Sequence, residues 1–206
     1  MDKKNAQFVR EDKYGFWRQL DNEPFEYSVE YKQSQSTNTD MSYLRVGWIA
    51  AHFPYPVLKK MKVVDIGSGN GTFVQVGESV FGSCVGFDLS GESITKKKLD
   101  TTEWDLVVLS DVLEHFDDIE DLFKLKWNHA FISFPETPKV ADSSELVGWR
   151  HFKPNEHLWC LNLAGIQKWF SDHGCRYIDS GNVEDIIRRR WDEKLPNISS
   201  ILVSRK

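Results

Sequence analysis

The sequence predicts an α/β protein, a doubly wound and mostly parallel sheet that finishes in an antiparallel strand pair. Three observations carry that expectation. After Lys60, short and continuously apolar runs alternate with helical patterns, as strands covered on both faces do. A glycine-rich turn, VVDIGSGNGTF from Val63 to Phe73, follows the first of those runs. The last two runs, CRYIDSG and NISSILVSR, are more polar and close together, which suits an antiparallel edge.

Residues 1 to about 60 read as a helical, aromatic-rich arm carrying Tyr14, Phe16, Trp17, Phe25, Tyr27, Tyr31, Tyr43 and Trp48. Within it, YKQSQSTNTD (31–40) has no apolar periodicity and reads as a loop, and MSYLRVGWIAAHF is helical until Pro54 and Pro56 stop it. MKVVDIG is then a first strand, TFVQVGESVF a helix ending at Gly82, and CVGFDLS a second strand. WDLVVLS is a third clear strand, DDIEDLFKLKW a helix, and HAFISFP a fourth strand. NLAGIQKWFSDHG is a helix with Asn162 at its N-cap and Gly174 just past its end. EDIIRRRW joins the final two strands. The expected organisation is a single domain, 1–206: the arm (1–60), then a ligand-binding core (61–206) with a lid at about 136–160.

Composition removes several function classes. A net charge of -5 gives no global attraction to nucleic acid or anionic lipid, and Lys96-Lys97-Lys98 and Arg188-Arg189-Arg190 read as solvated element ends. The three cysteines, Cys84, Cys160 and Cys175, are scattered and fit neither a disulfide framework nor a cysteine zinc site. No apolar run approaches a membrane span, and the charged start MDKKNAQFVREDKYGFWRQ lacks the core of a signal peptide. A cytoplasmic protein with no membrane partner is expected.

Three ligand classes use a bare turn between a strand and a helix, and spacing separates them. A P-loop needs a lysine that this turn lacks. A dinucleotide fingerprint needs a third glycine where Thr72 stands. What remains is DxGxGxG: Asp65, Gly67, Gly69 and Gly71. Asp88 closes the second strand nineteen residues after Gly69, the spacing at which a carboxylate reaches an adenosine ribose.

With WDLVVLSDVLEHF (104–116) in the fourth-strand place and HAFISFPE in the fifth, the chain resembles the class I S-adenosylmethionine-dependent methyltransferases of the small-molecule, ubiquinone-methylase type, over roughly residues 44–205. The resemblance implies a Rossmann-like methyltransferase fold, S-adenosylmethionine as cofactor and S-adenosylhomocysteine as product. It places Asp65 near the methionine amino group, Gly67, Ser68 and Gly69 along the methionyl and ribose portion, and Asp88 on the ribose. Leu89 lies against the adenine face, and Ser110, Asp111 and Val112 flank the methionyl side. One departure stands out: only seventeen residues separate Asp88 from Asp105, so GESITKKKLDTTE must hold a helix, a third strand and an adenine contact. Either the helix shrinks to a turn or the strand is vestigial. Asp100 is the candidate for the adenine amino group.

Methyl transfer from a sulfonium needs alignment and exclusion of water, and an acceptor carrying a proton also calls for a base. His157, in WRHFKPNEHLWCL, and His115, ending DVLEH, are the catalytic candidates, with His151 third; anchoring of its own loop is the competing reading for His115. Asp111, Glu114, His115 and His157 also resemble the divalent-metal set of some relatives, among them ubiquinone-pathway O-methylases and small-RNA 3′-end 2′-O-methylases. Such a set would hold Mg²⁺ or Mn²⁺, although VLEH recurs in relatives without metal. The Asp/Asn-Pro-Pro-Tyr/Phe signature of DNA amino-methylases is replaced by SDVL, and no cysteine follows a proline, so DNA is not expected as substrate. Trp149 and Trp159 are the lid aromatics placed to face a planar acceptor; packing of the arm onto the sheet accounts for most of the others.

The expected function is methyl transfer to an oxygen of a small-molecule acceptor, with nitrogen second. The alternatives are a metal-assisted 2′-O-methylase of RNA or a nucleotide, and an inactive cofactor-binding partner subunit. A homo-oligomer is compatible with each.

Overall fold

The computed structural model describes residues 6–20, 39–89, 94–188 and 197–205. Expectations for Phe25, Tyr27, Tyr31, Arg189 and Arg190, and most of the 31–40 loop, lie outside them.

The core is a six-stranded sheet of β3 (Lys62–Ile66), β4 (Ser83–Phe87), β5 (Glu103–Ser110), β6 (Lys126–Pro135), β8 (Cys175–Gly181) and β9 (Ile198–Arg205). Its spatial order is β4-β3-β5-β6-β9-β8. The pairs β3/β4, β3/β5 and β5/β6 are parallel, and β6/β9 and β8/β9 are antiparallel, as the apolar and polar runs predict. Alternate residues of each strand feed opposite faces. On β5, Trp104, Val107 and Leu109 join one cluster with Trp127, Trp169 and Phe170, while Leu106 and Val108 join the other with Val46, Ile49, Phe73 and Phe131. The helices α1 (Thr39–Ala50) and α3 (Thr72–Glu78) cover this second face, and α7 (Leu163–Asp172) covers the first. The short α2 (Tyr55–Leu58) links α1 to β3. Asn162 caps α7 by accepting from the Gly165 N–H at 2.8 Å, and Gly174 follows it at φ 76°.

Two local expectations are corrected. The arm is not wholly helical: β1 (Gln7–Glu11) and β2 (Phe16–Leu20) form an antiparallel hairpin, and β2 pairs with the two-residue β7 (Trp159–Cys160) from the far end of the lid. The hairpin is anchored by Phe16, which is fully buried, and by close approach to α7. A Cβ added at Gly165 would stand 2.2 Å from the Tyr14 carbonyl oxygen and 2.5 Å from Phe16 Cε1, so only glycine lets the two meet. The helix expected over DDIEDLFKLKW is a single turn, α5 (Asp121–Lys124). Between β4 and β5 the described residues hold one helix, α4 (Lys96–Thr101), and among them no strand lies outside β4. Of the two reductions offered for that short interval, the described residues keep a helix of six residues and show no third strand.

Candidate functional site

Parallel strands point their carboxyl ends the same way, so the loops after β3, β4 and β5 converge on one rim. After β3, Gly67, Gly69 and Gly71 all adopt left-handed φ (73°, 51° and 76°), which turns the chain back over the strand ends. The loop is tied to β4: Phe87 O accepts from Gly67 N at 2.7 Å and from Ser68 N at 3.2 Å. Asp88 Oδ2 accepts from Gly69 N at 2.9 Å, so the acid expected on a ribose already touches the loop. On the β5 side, a Cβ at Gly67 would lie 2.4 Å from Val112 Cγ2. Asp65, Gly67, Ser68, Gly69, Asp88, Ser110 and Asp111 are therefore brought to one rim. Leu89, directly after Asp88, is 90% exposed there, an apolar side chain held in water.

Asp100 is not brought to this rim. It is an exposed residue of α4 held by Lys96 at 2.5 Å, three residues before β5 begins, whereas the glycine loop lies at the carboxyl end of that parallel layer.

Two residues unforeseen as functional sit at the centre. Arg45 of α1 donates to Glu184 through Nε (2.8 Å) and Nη2 (2.9 Å), and to Asp111 Oδ2 at 3.2 Å. Arg188 of α8 (Val183–Arg188) donates to the same Asp111 oxygen at 2.9 Å and to Glu184 at 3.0 Å. Burial alone would lower the Arg45 pKa, but Glu184, Asp111 and Asp65 outweigh it and raise it. Arg188 is thus no solvated helix end. The only sequence signal for Arg45 is its place on the face of α1 next to buried Val46 and Ile49.

Asp65 is buried, and burial pushes its carboxyl up to about 7, with Arg45 opposing and Asp88 adding to the rise. Beyond β5, Asp111 turns the chain at φ 55° into a 3-10 turn, Leu113–His115. There Glu114 is 1% exposed and His115 partly exposed, and His157 arrives from the lid to set its ring 4.8 Å from that of His115, edge to face. Burial raises the Glu114 pKa well above the usual carboxylate range, with Asp111 adding to it. Burial also pulls His115 down to about 4 and, together with His115 and Lys153, His157 down to about 2. Both imidazoles are neutral at neutral pH.

Beside this cluster, Arg150, His151, Arg188 and Asn197 line a cleft of about 390 Å³ between the lid and α8. Trp149 packs edge-on against His151, while Trp159 donates to Phe116 O at 2.8 Å beneath Arg18. Trp159 thus anchors the hairpin to the 3-10 turn.

A family model described as a methyltransferase domain matches residues 41–180. The chain belongs to this methyltransferase family. No curated protein matches it by sequence. Among solved structures it is similar to an S-adenosylmethionine-dependent methyltransferase from Mesorhizobium loti, with TM-score 0.55 and 16% identity over 82% of this chain and 100% of that one. It is likewise similar to magnesium protoporphyrin IX methyltransferase from Synechocystis PCC 6803 with bound SAH (TM-score 0.55, 16% identity, 89% and 90% covered). A third likeness is to the putative methyltransferase in complex with the Trm112 methyltransferase activator of Haloferax volcanii (TM-score 0.58, 13% identity, 85% and 96% covered). Among the described residues no helix is long and apolar enough to cross a membrane.

Proposed function

We propose that this methyltransferase moves the methyl group of S-adenosylmethionine to an oxygen of a small-molecule acceptor. The observation that carries the reading is the pair of neutral imidazoles, His115 and His157, at the rim where β5 ends, with the cleft of Arg150, His151 and Arg188 beside them. In this reading the ammonium of the cofactor's methionine lies by Asp65, its backbone runs along Gly67, Ser68 and Gly69, and Asp88 takes the ribose hydroxyls. Leu89 covers the adenine. Ser110 and Asp111 border the methionyl side, where Arg45 supplies positive charge for the carboxylate.

Transfer breaks the sulfur–methyl bond as the oxygen–methyl bond forms, leaving a neutral thioether, and the acceptor's proton passes to His115. His157 is almost fully buried behind His115 and acts on it as a positioning residue. Alignment and exclusion of water supply the rest of the rate.

The test is a screen of acceptor pools with isotope-labelled S-adenosylmethionine, followed by mass identification of the product. An O-methyl product is expected, and His157→Ala should reduce its formation at least tenfold without changing affinity for S-adenosylhomocysteine. An N-methyl product overturns the oxygen assignment. Cofactor binding with no product from any pool favours the inactive partner subunit. Unaltered turnover in His157→Ala removes the imidazole pair from the mechanism. A cytoplasmic location belongs to the same proposal, consistent with three cysteines that are buried and unbridged.

A further inference from the structure

The cleft between the lid and α8 is walled by hydrogen-bond donors. Arg150 and His151 follow α6 (Ser144–Val147) in the lid, and Arg188 ends α8 on the opposite wall. The floor is Asn197, 5% exposed and fixed on both sides: its N–H donates to Asp185 at 2.9 Å, and its carbonyl accepts from Glu136 N at 3.1 Å. Asn197 Oδ1 meets His151 Nε2 at 2.6 Å and accepts from Arg150 Nη2 as well. Arg150 Nε lies 3.2 Å from His151 Nε2. One amide oxygen thus serves two donors, and a ring nitrogen that gives its proton to Asn197 cannot also accept from Arg150. From the other wall Arg188 reaches in with Nη2 resting on Asp111 and Glu184.

The field in the cleft has one sign. Burial lowers the His151 pKa, and Arg150, Arg188 and Lys153 lower it further, against the opposing bond to Asn197. Two planar guanidinium forks and an imidazole N–H around one space match the oxygens of a carboxylate or a phosphate, which accept in pairs. We propose that this cleft binds a small organic acid by its anionic group, a carboxylate or a phosphate held between Arg150 and Arg188, and that this acid is the methyl acceptor.

Size and place support the second half of that statement, which rests on the methyl-transfer reading above. The cleft of about 390 Å³ falls in the range of about 300–1,000 Å³ that small-ligand sites occupy, far more than an inorganic ion fills. His151 adjoins the imidazole pair, since its charge is among those that lower the His157 pKa, and Arg188 adjoins the rim through Asp111. An acid anchored here would present the rest of its body toward His115 and the end of β5. A nucleic-acid strand fits less well, because two arginines in a pocket make no track for a run of phosphates and the chain carries a net charge of -5.

Calorimetry on the purified full chain at low salt, with S-adenosylhomocysteine absent and then present, compares benzoate, phenyl phosphate and uncharged benzamide. At least one of the two anions should bind, at least tenfold more tightly than benzamide; the tighter of the two tells a carboxylate acceptor from a phosphate one. Arg150→Gln should weaken that anion at least tenfold, and Arg150→Lys, which keeps the charge without the fork, should restore part of the loss. Arg188→Gln should weaken it too, with its melting temperature read alongside because Arg188 also holds Asp111 and Glu184. Lys62→Gln, which removes the same charge from an exposed position at the amino end of β3, should change nothing. Equal affinity for benzamide, unaltered affinity in Arg150→Gln, or no heat with either anion overturns the proposal. A single-stranded RNA oligonucleotide that binds more tightly than phenyl phosphate and depends on Arg150 overturns the small-molecule assignment. Acceptor pools divided on an anion exchanger and offered labelled S-adenosylmethionine should give product from the retained fraction; product from the unretained fraction alone removes the acid as acceptor. Affinity for S-adenosylhomocysteine on the same samples separates the two readings. If it is intact while neither anion binds, only the cleft assignment fails; anion binding without it keeps the site and removes the methyl-transfer reading.

Discussion

Asp65 should couple cofactor binding to the release of a proton. Its carboxyl, buried beside the glycine loop, is held up to about 7 instead of its ordinary 3.8. Only the ionised form can pair with a methionyl ammonium, so the dissociation constant should carry the factor 1 + 10^(pKa − pH). Taking the pKa as about 7, affinity for S-adenosylhomocysteine rises about 25-fold from pH 5.5 to pH 7.5, or about 1.9 kcal/mol. Calorimetry in buffers of different ionisation enthalpy should show nearly one proton released at pH 5.5 and about a quarter of one at pH 7.5. Asp65→Asn should bind more weakly and lose this pH dependence. The apoprotein gives the reciprocal check. A carboxyl whose folded pKa exceeds its unfolded value favours folding least when ionised, so its burial costs nothing below about pH 3.8 and progressively more up to about 7. The full cost is about 4 kcal/mol, an upper figure because Arg45 can reorganise around the charge. Asp65→Asn should then gain stability relative to wild type as pH rises from 4 to 7, read from urea midpoints. A dissociation constant flat across pH 5.5–7.5, with no proton released, would refute the placement of the ammonium.

Three further expectations rest on different parts of the molecule. Gly165→Ala sets a helix-propensity gain of about 1 kcal/mol against a Cβ 2.2 Å from the Tyr14 carbonyl; the clash wins, giving a net loss of about 1–3 kcal/mol and faster hydrogen exchange at the β1–β2 amides. Arg45→Met leaves fully buried Glu184 with Arg188 alone and should cost about 3 kcal/mol in urea denaturation, much of it restored by adding Glu184→Gln. Asp100→Ala, at an exposed helix position far from the rim, should leave the dissociation constant for S-adenosylhomocysteine within about twofold; a larger loss would put the adenine edge at α4 after all.

Short-range features of the chain were readable in its sequence. Continuous apolar runs mark β3, β5 and β6 because a strand covered on both faces has no polar side to display, and Asn162 and Gly174 mark α7 because caps are local chemistry. The loop at Gly67–Gly71 and the acid at Asp88 lie at the intervals the fold imposes on any βαβ unit. What stayed hidden depends on contacts between distant segments. QFVRE and FWRQL, separated by a turn that ends at Gly15, carry a hairpin signal that the surrounding charge obscures, and the third strand of that sheet is two residues of the lid. Arg188 reads as a solvated helix end until Asp111 and Glu184 are placed opposite it. Arg45 is one more polar position on an amphipathic helix until α1 crosses the strand ends.

The shortened interval after β4 bears on where binding energy can come from. Among the described residues no strand lies beyond β4, where the proposed placement puts the adenosine, and the strand's outer edge is met there by the Ile94 N–H, which donates to Gly86 O at 3.0 Å. Leu89, at 90% exposure, is the apolar surface offered to a purine on that side, and covering one leucine fully contributes about 2 kcal/mol at most. The other end of the ligand would meet a buried acid, a cationic side chain and a run of bare backbone. Recognition on this rim is therefore weighted toward the sugar and the amino-acid tail. An adenosine fragment without the methionyl group should bind far more weakly than the whole cofactor, because beyond β4 the described residues offer a purine little more than the Leu89 side chain.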